Sequence, residues 1–277
     1  VTPERKETGV SLPGLILISD RFFTDFAEVD ISDGNLQNPD ILSLLVVADE
    51  LSHQWNAYAV PLPNQLAEGI STFTNVLFME QRAGRQTFDN AIKYCRGAYF
   101  MSTGLGPDVA VADPAIYQTA AYRGIAFTKT PVVLAMLRER VGDDIFFAGW
   151  REAFQSFDDQ SEGFEVVEKA FSKTAGEDLS WFFDQWFYRP GWAKLKITYE
   201  QTGSIVRVVC EQTQLGDAFQ MPVKLLAKGN GGESQSFVAK LDTSKTTIDI
   251  ECPFEVKAVV IDPNEIGLVQ NDEGPEN

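Results

Sequence analysis

The chain has 277 residues, and its 40 acidic side chains outnumber its 23 lysines and arginines, which gives a formal net charge of −17. This charge argues against a nucleic-acid-binding protein and against a polybasic lipid-binding surface, because both need clustered cations. With 44% apolar and 12% aromatic residues, the chain can bury a substantial core and is not intrinsically disordered. No apolar run approaches the roughly 20 residues of a membrane-spanning helix, so no membrane span is predicted.

The predicted elements of the first 192 residues are mostly helical. A short apolar run, Leu15–Ile18, predicts a strand near the start. A helix is predicted to begin at Pro39-Asp40, because apolar residues then recur every three or four positions as far as Trp55. Further helices are predicted to begin near Gln65 and after Pro131, and to span residues 143–157 and 181–188.

Beyond residue 192 the apolar pattern changes to a period of two, which is typical of strands with one buried face. Met221, Val223 and Leu225 share one such face, and short turns rich in Gly and Asp separate the runs. This region predicts a small antiparallel β-sandwich. The predicted fold class is therefore α+β, with a mostly helical domain at residues 1–192 and a β-sandwich domain at residues 193–277.

The cysteine pattern and the first residues of the chain concern metal binding, disulfide formation and cellular compartment. Cys95, Cys210 and Cys252 form no C-x-x-C pair, so neither a zinc ribbon nor a disulfide framework is indicated. Cys210 and Cys252 could pair if their strands are neighbours; otherwise all three are expected to be buried thiols. No targeting pattern is recognised, so no compartment is predicted. Because the chain begins at Val1 rather than Met, we expect it to be a fragment, a processed product or a shortened form, which leaves room for a larger multidomain parent chain.

One constellation of polar residues carries chemistry. Asp49 and His53 are one helical turn apart and therefore share a face of the first long helix, with Glu50 beside them. Glu68 follows on the next helix. A carboxylate, an imidazole and a second carboxylate could surround one divalent metal ion, while a spare Glu accepts a proton. The alternative is a hydrogen-bonded structural histidine, since catalytic zinc sites often contain two histidines.

A family resemblance favours the metal site. Residues 46–55, Val-Val-Ala-Asp-Glu-Leu-Ser-His-Gln-Trp, resemble the zincin helix H-E-x-x-H as it occurs in the membrane alanyl aminopeptidase family of gluzincins. Four further segments resemble the family's in the same order: residues 9–16, 67–69, 127–137 and 181–191. The resemblance covers nearly the whole chain. It implies a thermolysin-like (zincin) domain followed by a β-sandwich, a peptide substrate and a zinc cofactor.

The resemblance assigns a role to each residue of the constellation. Asp49, His53 and Glu68 occupy the three zinc-ligand positions, and Glu50 occupies the position of the general base. Asp49 replaces a histidine, which makes the donor set harder and gives it a charge of −2. The link between His53 and Glu68 is shorter than the family's by about one helical turn, so Glu68 need not reach the metal. We therefore expect zinc to bind weakly or not at all.

Two further departures from the family concern the substrate. Phe127 stands where the family has a catalytic tyrosine that hydrogen-bonds the oxyanion, and a phenylalanine cannot donate that bond. Ser11 stands where a glutamate binds the substrate's amino group, and a neutral hydroxyl holds an ammonium group less strongly. Tyr122 lies close to Phe127 in the sequence and is a candidate substitute for the missing donor.

These observations support three hypotheses. The first is a catalytically impaired aminopeptidase-like protein whose cleft retains a peptide or protein ligand. The alternative is an active metallopeptidase that uses Asp49, His53 and Glu68 as metal ligands and Glu50 as general base. A third possibility is a structural module whose β-sandwich docks onto a larger assembly. Metal content and peptide hydrolysis distinguish the first two.

Overall fold

The computed structural model forms two compact units, Val1–Pro190 and Gly191–Asn277. It describes residues 9–19, 30–32, 34, 39–60, 62–157 and 163–272. Among these residues, no helix combines the length and the apolar character that crossing a membrane requires. The predicted α+β class is confirmed, because helices dominate the first unit and strands make up the second.

The first unit begins with an antiparallel hairpin that packs against its first helix. Its described elements are β1 (Gly9–Leu12), β2 (Leu15–Ile18), α1 (Pro39–His53), a π-helical turn (Gln54–Ala59), α2 (Asn64–Ala83), α3 (Arg85–Ser102), a 3-10 turn (Pro114–Gln118), a second π-helical turn (Gly124–Lys129), α4 (Thr130–Val141), α5 (Asp143–Ser156), α6 (Gly163–Ala175) and α7 (Ser180–Trp186). The predicted helices are all present within a few residues of their expected limits. Helices α3 and α6 were missed.

Helix α3 was not predicted from the sequence, although its residues carry a helical pattern. Its buried residues recur at helical spacing, so the signal was present in the sequence. These residues include Phe88, Ala91, Ile92, Cys95 and Tyr99. Polar residues and a glycine between them dilute the pattern, so that neither an apolar run nor a capping signal marks the helix.

Aromatic side chains fill the core of the first unit. The ring of Phe73 on α2 lies 6.0 Å from that of Phe88 and 5.6 Å from that of Phe146, both edge-on. Phe146 also lies 5.6 Å from Phe171 of α6. Such ring pairs add a favourable geometry to the burial of large apolar surfaces. These contacts bury one face of α2 in the core, and other residues of α2, such as Glu68, face α1.

The second unit contains two sheets of alternating buried and exposed residues. Its strands are β3 (Ala193–Thr202), β4 (Ile205–Gln212), β5 (Met221–Lys228), β6 (Ser234–Leu241), β7 (Lys245–Glu251), β8 (Ala258–Ile261) and β9 (Val269–Asn271). One sheet has the order β7-β4-β3-β9 and the other β6-β5-β8. All pairs are antiparallel, as predicted, except β3 and β9, which run parallel. Strand β9 follows β8 of the second sheet, so the chain crosses between the sheets before β9 pairs with β3. Such a crossover allows β9 to run in the same direction as β3.

The strand register excludes the Cys210–Cys252 pair that the sequence left open. Cys210 lies opposite Thr246, whereas the backbone N–H of Cys252 donates to Ser204 O, beyond the other end of β4. The two thiols are therefore separated by most of the length of a strand. All three cysteines are buried and free, as in the second interpretation.

Candidate metal centre

The structure brings Asp49, His53 and Glu68 together between α1 and α2. His53 Nε2 lies 3.5 Å from Asp49 Oδ2 and 3.6 Å from Glu68 Oε2. One potential ligand atom from each of the three side chains lies within 4.8 Å of the others. The side chains of His53, Asp49 and Glu68 are 12%, 26% and 20% exposed, so the cluster is partly shielded but open to solvent.

The shorter connection between the two helices does not separate Glu68 from His53. A π-helical turn, Gln54–Ala59, continues α1, and α2 begins directly after Pro63. The connection between the two elements is therefore short, and His53 and Glu68 still face each other across it. Pro61, which contributes to the shorter link in the sequence, lies outside the described residues.

Gly69 lets α2 approach α4 closely beside the cluster. A Cβ atom at Gly69 would lie 2.4 Å from Cβ of Thr130, a distance that real side chains do not tolerate. Thr130 is fully buried at the start of α4. The glycine next to Glu68 therefore allows the close helix packing that fixes the position of that carboxylate.

A layer of small polar side chains lies behind His53. Asn56 Nδ2 donates to Ser52 Oγ at 2.7 Å and to Ser71 Oγ at 3.1 Å. Ser71 Oγ in turn lies 3.3 Å from His53 Nδ1. No sequence motif marks these residues. The sequence feature that could have indicated this layer is the spacing of Ser52 and Asn56, two polar residues one helical turn apart. Both are buried, on α1 and on its π-helical continuation.

The carboxylates also determine the charge of His53. Burial lowers the pKa of His53, but the hydrogen bonds and charges of Asp49 and Glu68 outweigh this effect and raise the pKa to about 10. The metal-free cluster is thus an imidazolium held between two carboxylates. A metal ion would have to displace that proton, because only the neutral imidazole can bind it.

Glu50 lies in a different environment from Asp49 and Glu68. Its side chain packs against the hairpin, so that a Cβ atom at Gly9 would lie 2.5 Å from Glu50 Oε1. Desolvation, followed by the charge of Asp49, raises the pKa of Glu50 to about 7. A carboxyl group with this pKa can both accept and release a proton near neutral pH.

Ser11, which the resemblance aligns with the family's amine-binding glutamate, makes other contacts in the structure. Its Oγ donates to the backbone carbonyl of Glu50 at 3.0 Å and accepts from Gln54 Nε2. Tyr58 Oη donates to the carbonyl of Ser11. These bonds attach β1 to the end of α1 and its continuation, which gives Ser11 an evident structural role.

Phe127 lies on the second π-helical turn, in a group of three aromatic side chains. Its ring lies 6.1 Å from that of Tyr122, edge-on, and the rings of Tyr122 and Tyr117 are 5.2 Å apart. Burial and the negative charge of Glu68 raise the pKa of the Tyr122 hydroxyl. Tyr122 is therefore within electrostatic reach of the donor cluster, whereas Phe127 has no polar group to offer.

Two comparisons with known proteins found a match. The model of the peptidase family M1 domain matches residues 29–186, more than half of the chain, including the whole donor cluster. Among solved structures, the chain is similar to aminopeptidase A of Legionella pneumophila in complex with aspartic acid, with a TM-score of 0.69 and 16% identity over 98% of this chain. It spans 31% of that protein's length, and at this identity the likeness shows the fold alone.

No curated protein matches the chain. The family match rests instead on the helical unit, which carries the H-E-x-x-H-like helix and its partner helix α2. Because that match covers more than half of the chain, the chain belongs to peptidase family M1.

Proposed function

We propose that this chain is an aminopeptidase-like protein of the gluzincin type that binds a divalent metal ion through Asp49, His53 and Glu68 but is catalytically impaired. Its surface around the metal centre holds a peptide or protein ligand. The observation that carries the proposal is a contrast: three donor atoms converge within 4.8 Å, whereas Phe127, whose ring packs against Tyr122, offers no hydrogen-bond donor.

The donor set fits a divalent metal ion. The distances of 3.5 and 3.6 Å from His53 Nε2 to the two carboxylates are close to the roughly 3.4 Å between ligands of a tetrahedral zinc ion. Two carboxylates and one imidazole are harder than the family's set, which shifts the preference towards ions such as Mn²⁺. A metal ion bound there would act as a Lewis acid that polarises a peptide carbonyl. The convergence of the donors removes the main ground for expecting no metal.

The residues around the metal position support impairment. Loss of one oxyanion-binding donor typically lowers the rate by about 10²–10³, and Phe127 is such a loss at the position of the family's tyrosine. Ser11 is neutral, and its hydroxyl is already bonded to Glu50 O and Gln54. An incoming amino group would therefore find neither a carboxylate nor an uncommitted hydroxyl at this position.

Exposed apolar side chains on the hairpin and on the continuation of α1 support ligand binding. Leu12, Leu15 and Leu17 lie on one face of the hairpin by their register and are each about half exposed. Trp55, on the continuation of α1, is 60% exposed. Exposed apolar residues that share one face, as the three leucines do, are typical of binding surfaces.

The alternative is an active metallopeptidase, and one observation favours it. Tyr122 lies beside Phe127 and within electrostatic reach of Glu68, so its hydroxyl is a candidate donor for the oxyanion. Glu50, with a pKa of about 7, would then take a proton from water and return it to the leaving amine.

Hydrolysis assays on metal-loaded protein separate the two functions. The wild-type protein, Glu50→Gln and Tyr122→Phe are each loaded with Zn²⁺ or Mn²⁺ and tested on alanyl and aspartyl nitroanilides and on an internally quenched peptide. We expect about one metal ion per chain and the same negligible rate for all three proteins. A wild-type rate that disappears in Glu50→Gln and falls in Tyr122→Phe would establish the alternative.

A further inference from the structure

Asn75 is a buried residue of α2 that contacts the donor cluster. Its Nδ2 donates to Asp49 Oδ1 at 3.1 Å, across 26 positions of the sequence. The residue is only 7% exposed. Its own Oδ1 is buried and has no hydrogen-bond partner among the described residues.

The two oxygens of Asp49 are therefore divided between two partners. Oδ1 accepts from Asn75, and Oδ2 lies 3.5 Å from His53 Nε2. A carboxylate ligand is best oriented when a donor outside the metal's ligand shell holds its second oxygen. An amide can supply such a donor without adding charge, whereas an ionised carboxylate at position 75 could only accept hydrogen bonds.

The unpaired carbonyl of Asn75 indicates that packing alone does not account for this residue. A buried polar atom without a partner is unfavourable, and an apolar side chain of the same shape would avoid it. Within the part of the chain that the structure describes, the Asn75 amide donates to Asp49. The side chain thus retains a bond to the cluster at the expense of local stability.

We propose that Asn75 is a positioning residue for the metal ligand Asp49. It holds Oδ1 and leaves Oδ2 as the single oxygen directed at the metal position. It thereby suits this site to a carboxylate where the family's pattern has an imidazole. This inference rests on the proposed metal binding, and it assigns Asn75 no contact with the metal ion or a substrate.

A set of matched variants tests the proposal. Asn75→Leu keeps the approximate shape but removes the donor, and Asn75→Gln keeps the donor. Thr246→Val is the control, because Thr246 also has a buried oxygen without a hydrogen-bond partner among the described residues but lies on β7, outside the unit that carries the proposed ligands. The measurements are zinc affinity by calorimetry, the ring signals of His53 during zinc addition, and the melting temperature without metal. His53 is the only histidine, so its signals are unambiguous.

We expect Asn75→Leu to weaken zinc binding about 10–100-fold, the usual effect of an outer partner of a metal ligand, without lowering the metal-free melting temperature. Asn75→Gln should recover most of the affinity, and Thr246→Val should bind zinc within about threefold of the wild-type protein. Unchanged affinity in Asn75→Leu, while the wild-type His53 signals respond to zinc, would overturn this inference alone. Wild-type His53 signals that do not respond to zinc would overturn the proposed metal binding and this inference with it.

Discussion

The two sides of the candidate site differ in what they retain. The donor side, formed by α1 and α2, has three potential ligands within 4.8 Å and an amide that orients one of them. The substrate side, formed by Ser11 and Phe127, has a hydroxyl committed to α1 and a phenyl ring. Under the proposed function, metal binding and turnover depend on different side chains of one scaffold, so a change in one side chain can alter turnover and leave metal binding intact.

The largest expected effect is on the donor side. His53→Gln removes the only nitrogen ligand and leaves Asp49 and Glu68 without the cation between them. Zinc affinity should fall by more than the 10–100-fold typical of an outer residue, and the metal-free protein should also lose stability. Calorimetry with zinc and thermal unfolding measure the two effects. A variant that binds zinc as tightly as the wild-type protein would show that the cluster is an ion pair and no metal site.

The substrate side is tested by restoring its missing donor. Phe127→Tyr should raise hydrolysis of aminoacyl nitroanilides by metal-loaded protein about 10²–10³-fold, the usual contribution of one oxyanion-binding donor. Phe154→Tyr is a control that adds a phenol elsewhere. An unchanged rate in metal-loaded Phe127→Tyr would mean that the lost donor is not what limits turnover.

Lys129, two residues after Phe127, should make stability depend on alkaline pH. The residue is fully buried, donates to Arg189 O and lies over the ring of Tyr99. Burial lowers its pKa from 10.5 to about 8, so the unfolded chain binds more protons between these values. The contribution of Lys129 to the free energy of unfolding should therefore rise by up to about 3 kcal/mol between pH 8 and 10.5.

Denaturant unfolding at several pH values, compared between wild type and Lys129→Met, isolates this contribution from those of other groups. The difference between the two proteins should shift in favour of the wild type as the pH rises. Parallel pH profiles would show that Lys129 keeps an ordinary pKa and is hydrated in the folded protein.

The smallest expected effect concerns helix packing beside Glu68. Gly69→Ala would place a methyl group against Thr130 and should destabilise the protein by about 1–3 kcal/mol. Gly97→Ala is the matched control, because a Cβ atom at this site on α3 meets no atom within 4 Å; it should stabilise by about 0.5–1 kcal/mol. Thermal unfolding measures both. Equal stabilisation by the two variants would contradict the close approach of α2 and α4.

Part of this structure could be predicted from the sequence because the relevant signals are local or ordered along the chain. The i, i+4 spacing of Asp49 and His53 places both on one helix face, and period-two runs mark the strands. The contact between Asn75 and Asp49 could not be predicted, since it depends on how α2 is rotated against α1. The sequence also could not show that the shorter connection after His53 preserves the position of Glu68, because a π-helical turn takes up part of it.

Metal content tests the central claim most directly. The protein, purified without chelators, is loaded with excess zinc and desalted, and zinc per chain is counted by elemental analysis beside His53→Gln. Our account predicts about one zinc ion per wild-type chain and almost none in the variant. Almost no zinc in the wild-type protein, or equal amounts in both, would contradict it.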